Sequence, residues 1–309
     1  MELLILLLLL KREEYIINNN SRLLHLHRCE AATWTTILHL LKMDPTLESL
    51  YQLSPSDLHQ KLHLTLEKSR ALYNQLQSIS IVSMLEQYKS RNIQCITVFD
   101  SDYPIALKQI YNPPWVLYAK GNCQLLLNNR MIAIVGTRNP TSYGLKMTEY
   151  FVESLVANKW VTVSGLAKGI DAKVHKSTLQ KEGKTIGVLG SGFNHIYPKE
   201  NNQLASDMIN TSLLITEYPP ERRPQKWHFP ARNRIISGLS LGTVVIEAKE
   251  KSGSLITAEL ALQQNREVFA IPGPINSDYS IGTNLLIQEG AKLILHPQDI
   301  YSEFDQKII

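Results

Sequence analysis

The sequence predicts an α/β protein: an extended Rossmann-like, doubly wound and mostly parallel sheet, preceded by a small all-helical domain. Two patterns carry this prediction. From Met131 onward, continuous apolar runs such as MIAIVG, VTVSG and TIGVLG alternate with segments of helical periodicity, and such runs are typical of parallel strands covered on both faces. Residues 21–90 instead repeat apolar residues at helical spacing. The length of 309 residues accommodates about two domains.

Composition restricts the classes of function. The hydrophobic fraction of 44% suits a protein with a real core, and the net charge of only +4 excludes a uniformly basic nucleic-acid binder. A polyanion would therefore have to bind at a local basic patch. Cys29, Cys95 and Cys123 are odd in number and far apart, which favours a reducing, cytoplasmic location over a disulfide framework. No CxxC or HExxH pattern is present, so we expect no metal and no cofactor.

The domains are predicted in order along the chain. Residues 1–20 form an N-terminal extension whose apolar run ends at Leu10, well short of the roughly 20 residues of a membrane span. Basic residues follow this run rather than precede it, unlike in a secretory signal. Residues 21–90 form the helical domain, in which Ser54-Pro55 marks a helix start. Residues 91–129 bridge to, and pack on, the α/β domain at 130–305.

Ligands of doubly wound sheets bind where the parallel strands end. Three successive strand ends carry glycines with a nearby cation: GTR at 136–138, SGLAKG at 164–169, and GSG at 190–192 with Lys199 beyond. Glycines allow close approach of a ligand, and the following helices offer free N–H groups to an anion. Asp171 is interpreted as a helix cap. His195 breaks a dinucleotide fingerprint and Thr178 breaks a Walker A loop.

The stretch WHFPARNRIISGLS, residues 227–240, reads as a loop followed by a helix from Ala231. The chain around it is rich in cations, and three rings lie among them. Single-stranded nucleic acid is bound by this mixture, because cations follow the phosphates while rings stack on unpaired bases. The alternative is that Trp227 and Phe229 pack into the core and the cations are solvated. The residues concerned are Arg222, Arg223, Lys226, Trp227, His228, Phe229, Arg232 and Arg234.

The next strand end, VVIEAKEKSGS, combines an acidic residue with a potential anion nest. Glu247 is interpreted as orienting a neighbouring arginine rather than as a general base, and Lys251 precedes a Ser-Gly-Ser helix start. Glu247 with Glu259 is the one visible acid–base pair. We therefore expect a binding protein without catalytic residues.

Several long motifs occur together: IAIVGTRNPTSYG, VSGLAKGIDAKVHKSTL, WHFPARNRIISGLSLGTVVIEA and GTNLLIQEGAKLI. In this order they resemble the DNA-processing protein A family (DprA, also called Smf) over residues 100–300. The resemblance implies a Rossmann-fold protein that binds and protects single-stranded DNA, loads the RecA recombinase during natural transformation, and forms homodimers through the Rossmann domain. The helical region resembles the SAM-like domain of some members.

The resemblance also implies that Arg138, Lys226, Phe229, Arg232 and Arg234 contact the DNA. Thr137 stands where the family usually has serine, and it keeps the hydroxyl. The alternative reading is a nucleotide hydrolase of the lysine-decarboxylase-like type, although SLGTVVIE at 240–247 matches that motif only partly. With the strand-end residues, the predicted DNA-binding set is Gly136, Thr137, Arg138, Gly165, Lys168, Gly169, Gly190, Ser191, Gly192, Lys199, Lys226, Phe229, Arg232, Asn233, Arg234, Lys251, Ser252, Gly253 and Ser254.

Overall fold

A computed structural model describes residues 17–304 of the chain. Most of the expected N-terminal extension, residues 1–16, lies outside this range. The chain separates between Asp100 and Ser101 into two compact units. This division falls inside the segment that we expected to bridge the two domains.

The first unit is helical, as its periodicity predicts. Side-chain caps fix several helix starts: Asn18 and Ser54 each form a capping box, and Pro55 occupies the first helical turn after Ser54. Fully buried leucines from separate helices, among them Leu23 and Leu58, form the core. The elements are α1 (Asn19–Arg28), α2 (Trp34–Met43), α3 (Pro55–Leu62), α4 (Leu66–Ser78), α5 (Ile81–Ser90) and the strand β1 (Gln94–Thr97).

The second unit alternates strands and helices. Its elements are α6 (Ile105–Lys108), β2 (Val116–Gly121), β3 (Met131–Val135), α7 (Ser142–Ala157), β4 (Val161–Ser164), α8 (Ile170–Gln180), β5 (Thr185–Leu189), α9 (Asn202–Thr211), β6 (Leu213–Thr216), α10 (His228–Leu239), β7 (Gly242–Val245), α11 (Gly253–Gln263), β8 (Glu267–Ala270), α12 (Ile281–Gln288), β9 (Lys292–Leu293) and α13 (Gln298–Phe304).

The strands of this unit lie in the order β2-β6-β5-β4-β3-β7-β8-β9. Every pair along this order is parallel except β2 with β6, which is antiparallel. The predicted α/β class with a mostly parallel, Rossmann-like sheet is therefore confirmed. The chain runs from β3 outward to β6 and then returns to place β7 on the other side of β3. This reversal creates the crevice in which such sheets bind ligands.

The central strands are buried on both faces, which explains their unbroken apolar runs. On one face, Ile132 and Ile134 of β3 belong to an apolar cluster with Phe151 of α7, Trp160 and Phe304. On the other face, α10 packs against β3, β4 and β5. Each fully buried side chain of this size contributes about 1.5–3 kcal/mol of transfer free energy. The core thereby holds the strand ends, and the loops that follow them, in fixed positions.

The prediction of a loop at WHFP, residues 227–230, was wrong. Helix α10 begins at His228, with Trp227 as its N-cap residue, so His228, Phe229 and Pro230 form the first helical turn. Proline is compatible with this turn, because the first N–H groups of a helix have no acceptor within it. Consequently Phe229 and Arg232 project from consecutive turns of one rigid element.

Candidate functional site

The largest cavity of the site, about 530 Å³, opens where β3, β4 and β7 end. Its walls come from three segments: the loop after β3, the loop after β7, and the first turns of α10. We call it the main cavity. It lies at the chain reversal between β3 and β7. The predicted residues that line it are Gly136, Thr137, Arg138, Phe229, Arg232, Asn233, Lys251, Ser252, Gly253 and Ser254.

Two buried groups of opposite charge, Arg232 and Asp171, lie at the floor of the main cavity. Arg232 is only 4% exposed, and its Nη1 donates to the carbonyl oxygens of Gly165 and Val188. Burial lowers the pKa of Arg232 to about 10, although the nearby Asp171 carboxylate opposes this shift. Its Nε is buried without a protein acceptor. With a pKa of about 10, the guanidinium remains charged at neutral pH.

The interpretation of Asp171 as a helix cap was wrong. The N-cap position of α8 is Gly169, and Asp171 is the second residue of the first helical turn. Its Oδ2 accepts hydrogen bonds from the backbone N–H groups of Gly165 and Ala167, at 3.2 and 3.3 Å. Burial raises the pKa of Asp171, and the Arg232 charge opposes that shift. Asp171 thus fixes the loop after β4 and compensates the buried guanidinium.

The loop after β3 presents Arg138 at the rim of the main cavity, where its side chain is exposed. The backbone N–H of Thr137 donates to the Glu247 carbonyl oxygen at 2.8 Å, and Thr137 Oγ1 accepts from the Asn139 N–H at 3.3 Å. Gly169 adopts φ of +76°, and a Cβ there would lie 2.6 Å from the Arg138 carbonyl oxygen. Glycine at 169 therefore permits the close contact that positions the Arg138 loop.

The opposite rim is the N-terminus of α11. Ser252 is its N-cap residue, and Ser252 Oγ accepts a hydrogen bond from the Ser254 N–H at 3.4 Å. Lys249 and Lys251, both exposed, flank this helix start. Free N–H groups and the helix dipole favour an anion here. The sequence analysis identified Lys251 but missed Lys249, whose position two residues after Glu247 was its only signal.

Phe229 separates the main cavity from a small cavity of about 40 Å³, and both are lined by Arg138, Phe229 and Arg232. The Phe229 ring packs on Gly190, where a Cβ would lie 2.9 Å from Phe229 Cδ1. Its other neighbour is the ring of Tyr197, with the centroids 5.5 Å apart. Tyr197 was not in the predicted set of DNA-binding residues. The small cavity also contains two predicted residues, Gly165 and Lys168.

Other members of the predicted set lie outside these two cavities. The side chain of Arg234 is clamped by Glu217, with Nη1–Oε2 and Nη2–Oε1 distances of 2.9 and 2.5 Å, and its Nε donates to the Asn112 carbonyl at 3.0 Å. Burial acts to lower the pKa of Arg234, but the Glu217 carboxylate outweighs it and raises the pKa. Arg234 lines neither the main cavity nor the small cavity. It instead ties α10 to the end of β6.

The GSG loop at 190–192 is also occupied by internal contacts. Ser191 is 1% exposed, and its Oγ donates to the His195 carbonyl oxygen at 2.7 Å. A Cβ on Gly192 would lie 2.5 Å from the Pro220 carbonyl carbon. These residues do not line the main cavity, because this loop packs against the chain that follows β6.

Three predicted cations lie exposed at the periphery. Lys168 pairs with Glu200, with an Nζ–Oε1 distance of 2.7 Å. Lys199 lines a separate cavity of about 380 Å³. Lys226 is exposed beside Trp227, which is 60% exposed rather than part of the core. Salt screens such exposed charges strongly, so their contribution to binding depends on direct contact with a ligand.

The interpretation of Glu247 was wrong as well. The residue is 2% exposed, and its carboxylate accepts from Thr141 N at 2.9 Å and from Thr141 Oγ1 at 2.5 Å. Gly144 lies against the same carboxylate. Glu247 therefore stabilises the N-terminus of α7, where a negative charge is favourable, and does not orient an arginine. No local pattern could indicate this contact, since the partners are 106 residues apart.

A family model described as "DNA recombination-mediator protein A" matches residues 94–305. The chain belongs to this family. DNA processing protein DprA of Bacillus subtilis is 49% identical over 242 residues, which cover 78% of this chain and 82% of that protein. DprA of Streptococcus pneumoniae is 48% identical over 209 residues, covering 68% and 73%. The resemblance inferred from the motifs is confirmed, and the chain is a DNA-processing protein of the DprA/Smf type.

Solved structures of DprA proteins share its fold. The Streptococcus pneumoniae DprA structure has a TM-score of 0.79 and 38% identity, and the match covers 92% of this chain and 97% of that one. A Helicobacter pylori DprA structure has a TM-score of 0.63 and 32% identity, covering 69% and 97%. The latter structure is described by its single-stranded DNA binding mode. Within residues 17–304 of the present chain, no helix has the length and apolar character to cross a membrane.

Proposed function

We propose that this protein binds single-stranded DNA in the main cavity and acts by holding the strand rather than by cutting it. One observation carries the proposal: Arg138, the α11 N-terminus and the Phe229 ring line the same cavity. The Helicobacter pylori relative, described by its single-stranded DNA binding mode, supports the choice of ligand. Duplex DNA buries its bases, so it offers nothing for Phe229 to stack on.

The cavity provides separate contacts for the two parts of a nucleotide. Arg138, Lys249 and Lys251 at the rim would hold phosphate oxygens, and arginine can do so with two parallel hydrogen bonds. Phe229 would stack on a base, which is worth about 1–3 kcal/mol. The buried positive charge of Arg232 would add an attractive potential for phosphate at the floor of the cavity. None of these contacts depends on base identity, so we expect weak sequence preference.

Charge reversal tests the assignment. The variants Arg138→Glu and Lys251→Glu should each weaken binding to an oligo-dT strand by at least about tenfold, and together they should abolish a gel shift. The salt dependence of the remaining affinity should also become shallower, by about 0.7 in the log–log slope for each lost phosphate contact.

Arg130→Glu is the matched control, because Arg130 is exposed and directly precedes β3, at the amino edge of the sheet. It changes the net charge equally and should leave binding unchanged. Equal losses in all three variants would mean that the net charge of the molecule, and not this cavity, attracts the DNA.

The finer roles rest on family membership. We propose that the protein protects incoming single strands and loads RecA onto them during natural transformation, that it works as a homodimer through the Rossmann domain, and that the helical domain at 21–90 is SAM-like. The cysteines Cys29, Cys95 and Cys123 are free thiols, which supports a cytoplasmic location. RecA loading is tested by strand exchange on DNA coated with a single-strand binding protein. If addition of this protein does not accelerate the exchange, that role is refuted.

A further inference from the structure

A second open cavity, of about 380 Å³, lies beyond the ends of β5 and β6. We call it the distal cavity. Its lining combines two exposed cations, Lys199 and Arg223, with the ring of Tyr197 and the side-chain amides of Asn194 and Asn202. No carboxylate is among the residues of the described chain that line it. The distal cavity therefore has the charge and ring content that suit a nucleotide.

The distal cavity adjoins the main cavity through the small cavity. The small cavity shares Arg138, Phe229 and Arg232 with the main cavity, and it shares Tyr197 with the distal cavity. Tyr197 is 52% exposed, and its ring lies 5.5 Å from Phe229 at an interplanar angle of 50°. The two rings thus stand side by side between the cavities, and each is accessible from one of them.

The three cavities follow one edge of the sheet. The main cavity lies over the ends of β7, β3 and β4, the small cavity over β4 and β5, and the distal cavity over β5 and β6. Four strand intervals separate β7 from β6, which corresponds to roughly 19 Å at about 4.8 Å each. This distance accommodates several nucleotides of an extended strand. The residues at both ends of this path are held by the ends of helices and strands.

We propose that a single strand bound in the main cavity continues past Phe229 and Tyr197 into the distal cavity, which is a second nucleotide subsite. This proposal rests on the proposed function. Tyr197 stacks on a base at the entrance, while Arg223 and Lys199 hold the phosphates beyond it. The amides of Asn194 and Asn202 can donate to or accept from any base edge, so the subsite adds affinity without adding sequence preference.

Oligomer length separates the two subsites. With dT oligomers between about 4 and 16 nucleotides, the wild-type protein should bind longer strands more tightly, with an abrupt gain at the length that first reaches the distal cavity. Tyr197→Ala and Arg223→Glu should each remove that gain, about tenfold in affinity, and Arg223→Glu should leave the affinity for the shortest bound oligomer within about twofold of wild type. Binding is measured by fluorescence anisotropy of a labelled oligomer.

Tyr197→Phe should restore the gain because it retains the ring, and Tyr150→Ala is the matched control, since Tyr150 is an exposed tyrosine on α7. If short oligomers bind but Tyr197→Ala and Arg223→Glu keep the full length-dependent gain, the distal subsite is refuted while single-strand binding stands. If wild type binds no oligomer of any length, the proposed function itself fails.

Discussion

At the scale of single residues, Arg232 shows how far a cation pattern can be interpreted. The sequence correctly indicated a basic and aromatic cluster, but it could not separate rim cations from buried ones. Arg138 is exposed. Arg232 is buried near the opposite charge of Asp171, and Arg234 forms a salt bridge with Glu217. Arg138 lies in the loop after β3, whereas Arg232 and Arg234 lie on α10, which packs against the sheet. The partner carboxylates lie on other elements, so no local pattern predicts them.

The buried pair has a consequence for stability. Replacing Asp171 with alanine leaves the guanidinium of Arg232 buried and uncompensated, which should lower the free energy of unfolding by about 3–5 kcal/mol. The double variant Asp171→Ala/Arg232→Met should lose less, because it contains no orphan charge. Urea denaturation of the single and double variants measures both values. A double variant that is less stable than Asp171→Ala would show that Arg232 stabilises the protein through its carbonyl contacts and not through the charge pair.

At the scale of elements, the strand ends were the most predictable part of the site and the helix starts the least. The loops after β3 and β7 line the main cavity, as expected from the glycine and cation pattern in each. The start of α10 was misplaced because histidine, phenylalanine and proline resemble a loop, although proline fits a first helical turn. The glycines of the GSG loop permit close internal packing, of Gly190 on Phe229 and of Gly192 on Pro219 and Pro220, which the sequence pattern does not indicate.

Two glycines near the main cavity give a matched pair of tests. Gly169→Ala forces an L-residue into φ of +76° and against the Arg138 loop. It should cost at least about 1 kcal/mol of stability and weaken binding to oligo-dT. At Gly253 a Cβ meets no atom within 4 Å, so Gly253→Ala should leave the stability nearly unchanged. Thermal melts and anisotropy titrations of both variants provide the comparison, and equal effects would contradict the proposed positioning role of Gly169.

At the scale of the whole molecule, the fold class was predictable while the oligomeric state was not. Parallel strands that are buried on both faces appear in the sequence as continuous apolar runs, and the strands from β3 to β8 show this pattern. A homodimer surface has no comparable periodic pattern in the sequence. The second unit ends its sheet in the short edge strand β9, and Leu285, Leu293 and Leu295 nearby are 38%, 43% and 59% exposed. Exposed edge strands with apolar side chains are suited to association.

The proposed homodimer is tested at this edge. The double variant Leu293→Asp/Leu295→Asp should convert the dimer into monomers, because it places two charges in an apolar contact. Sedimentation velocity at several protein concentrations measures the change. Leu127→Asp is the control, since Leu127 is 49% exposed but precedes β3 at a different part of the sheet. Unchanged sedimentation of the double variant would assign the contact to another surface.

The return of β7 to the side of β3 also determines at which point of its synthesis the protein can form the main cavity. One wall of the main cavity, at 136–139, is translated more than a hundred residues before the opposite wall at 249–257. A nascent chain that has emerged only as far as β6 contains Arg138 but not the helix start facing it. Domains generally fold as units, so DNA should be captured only by finished chains, and unfinished chains released from the ribosome should not compete for it.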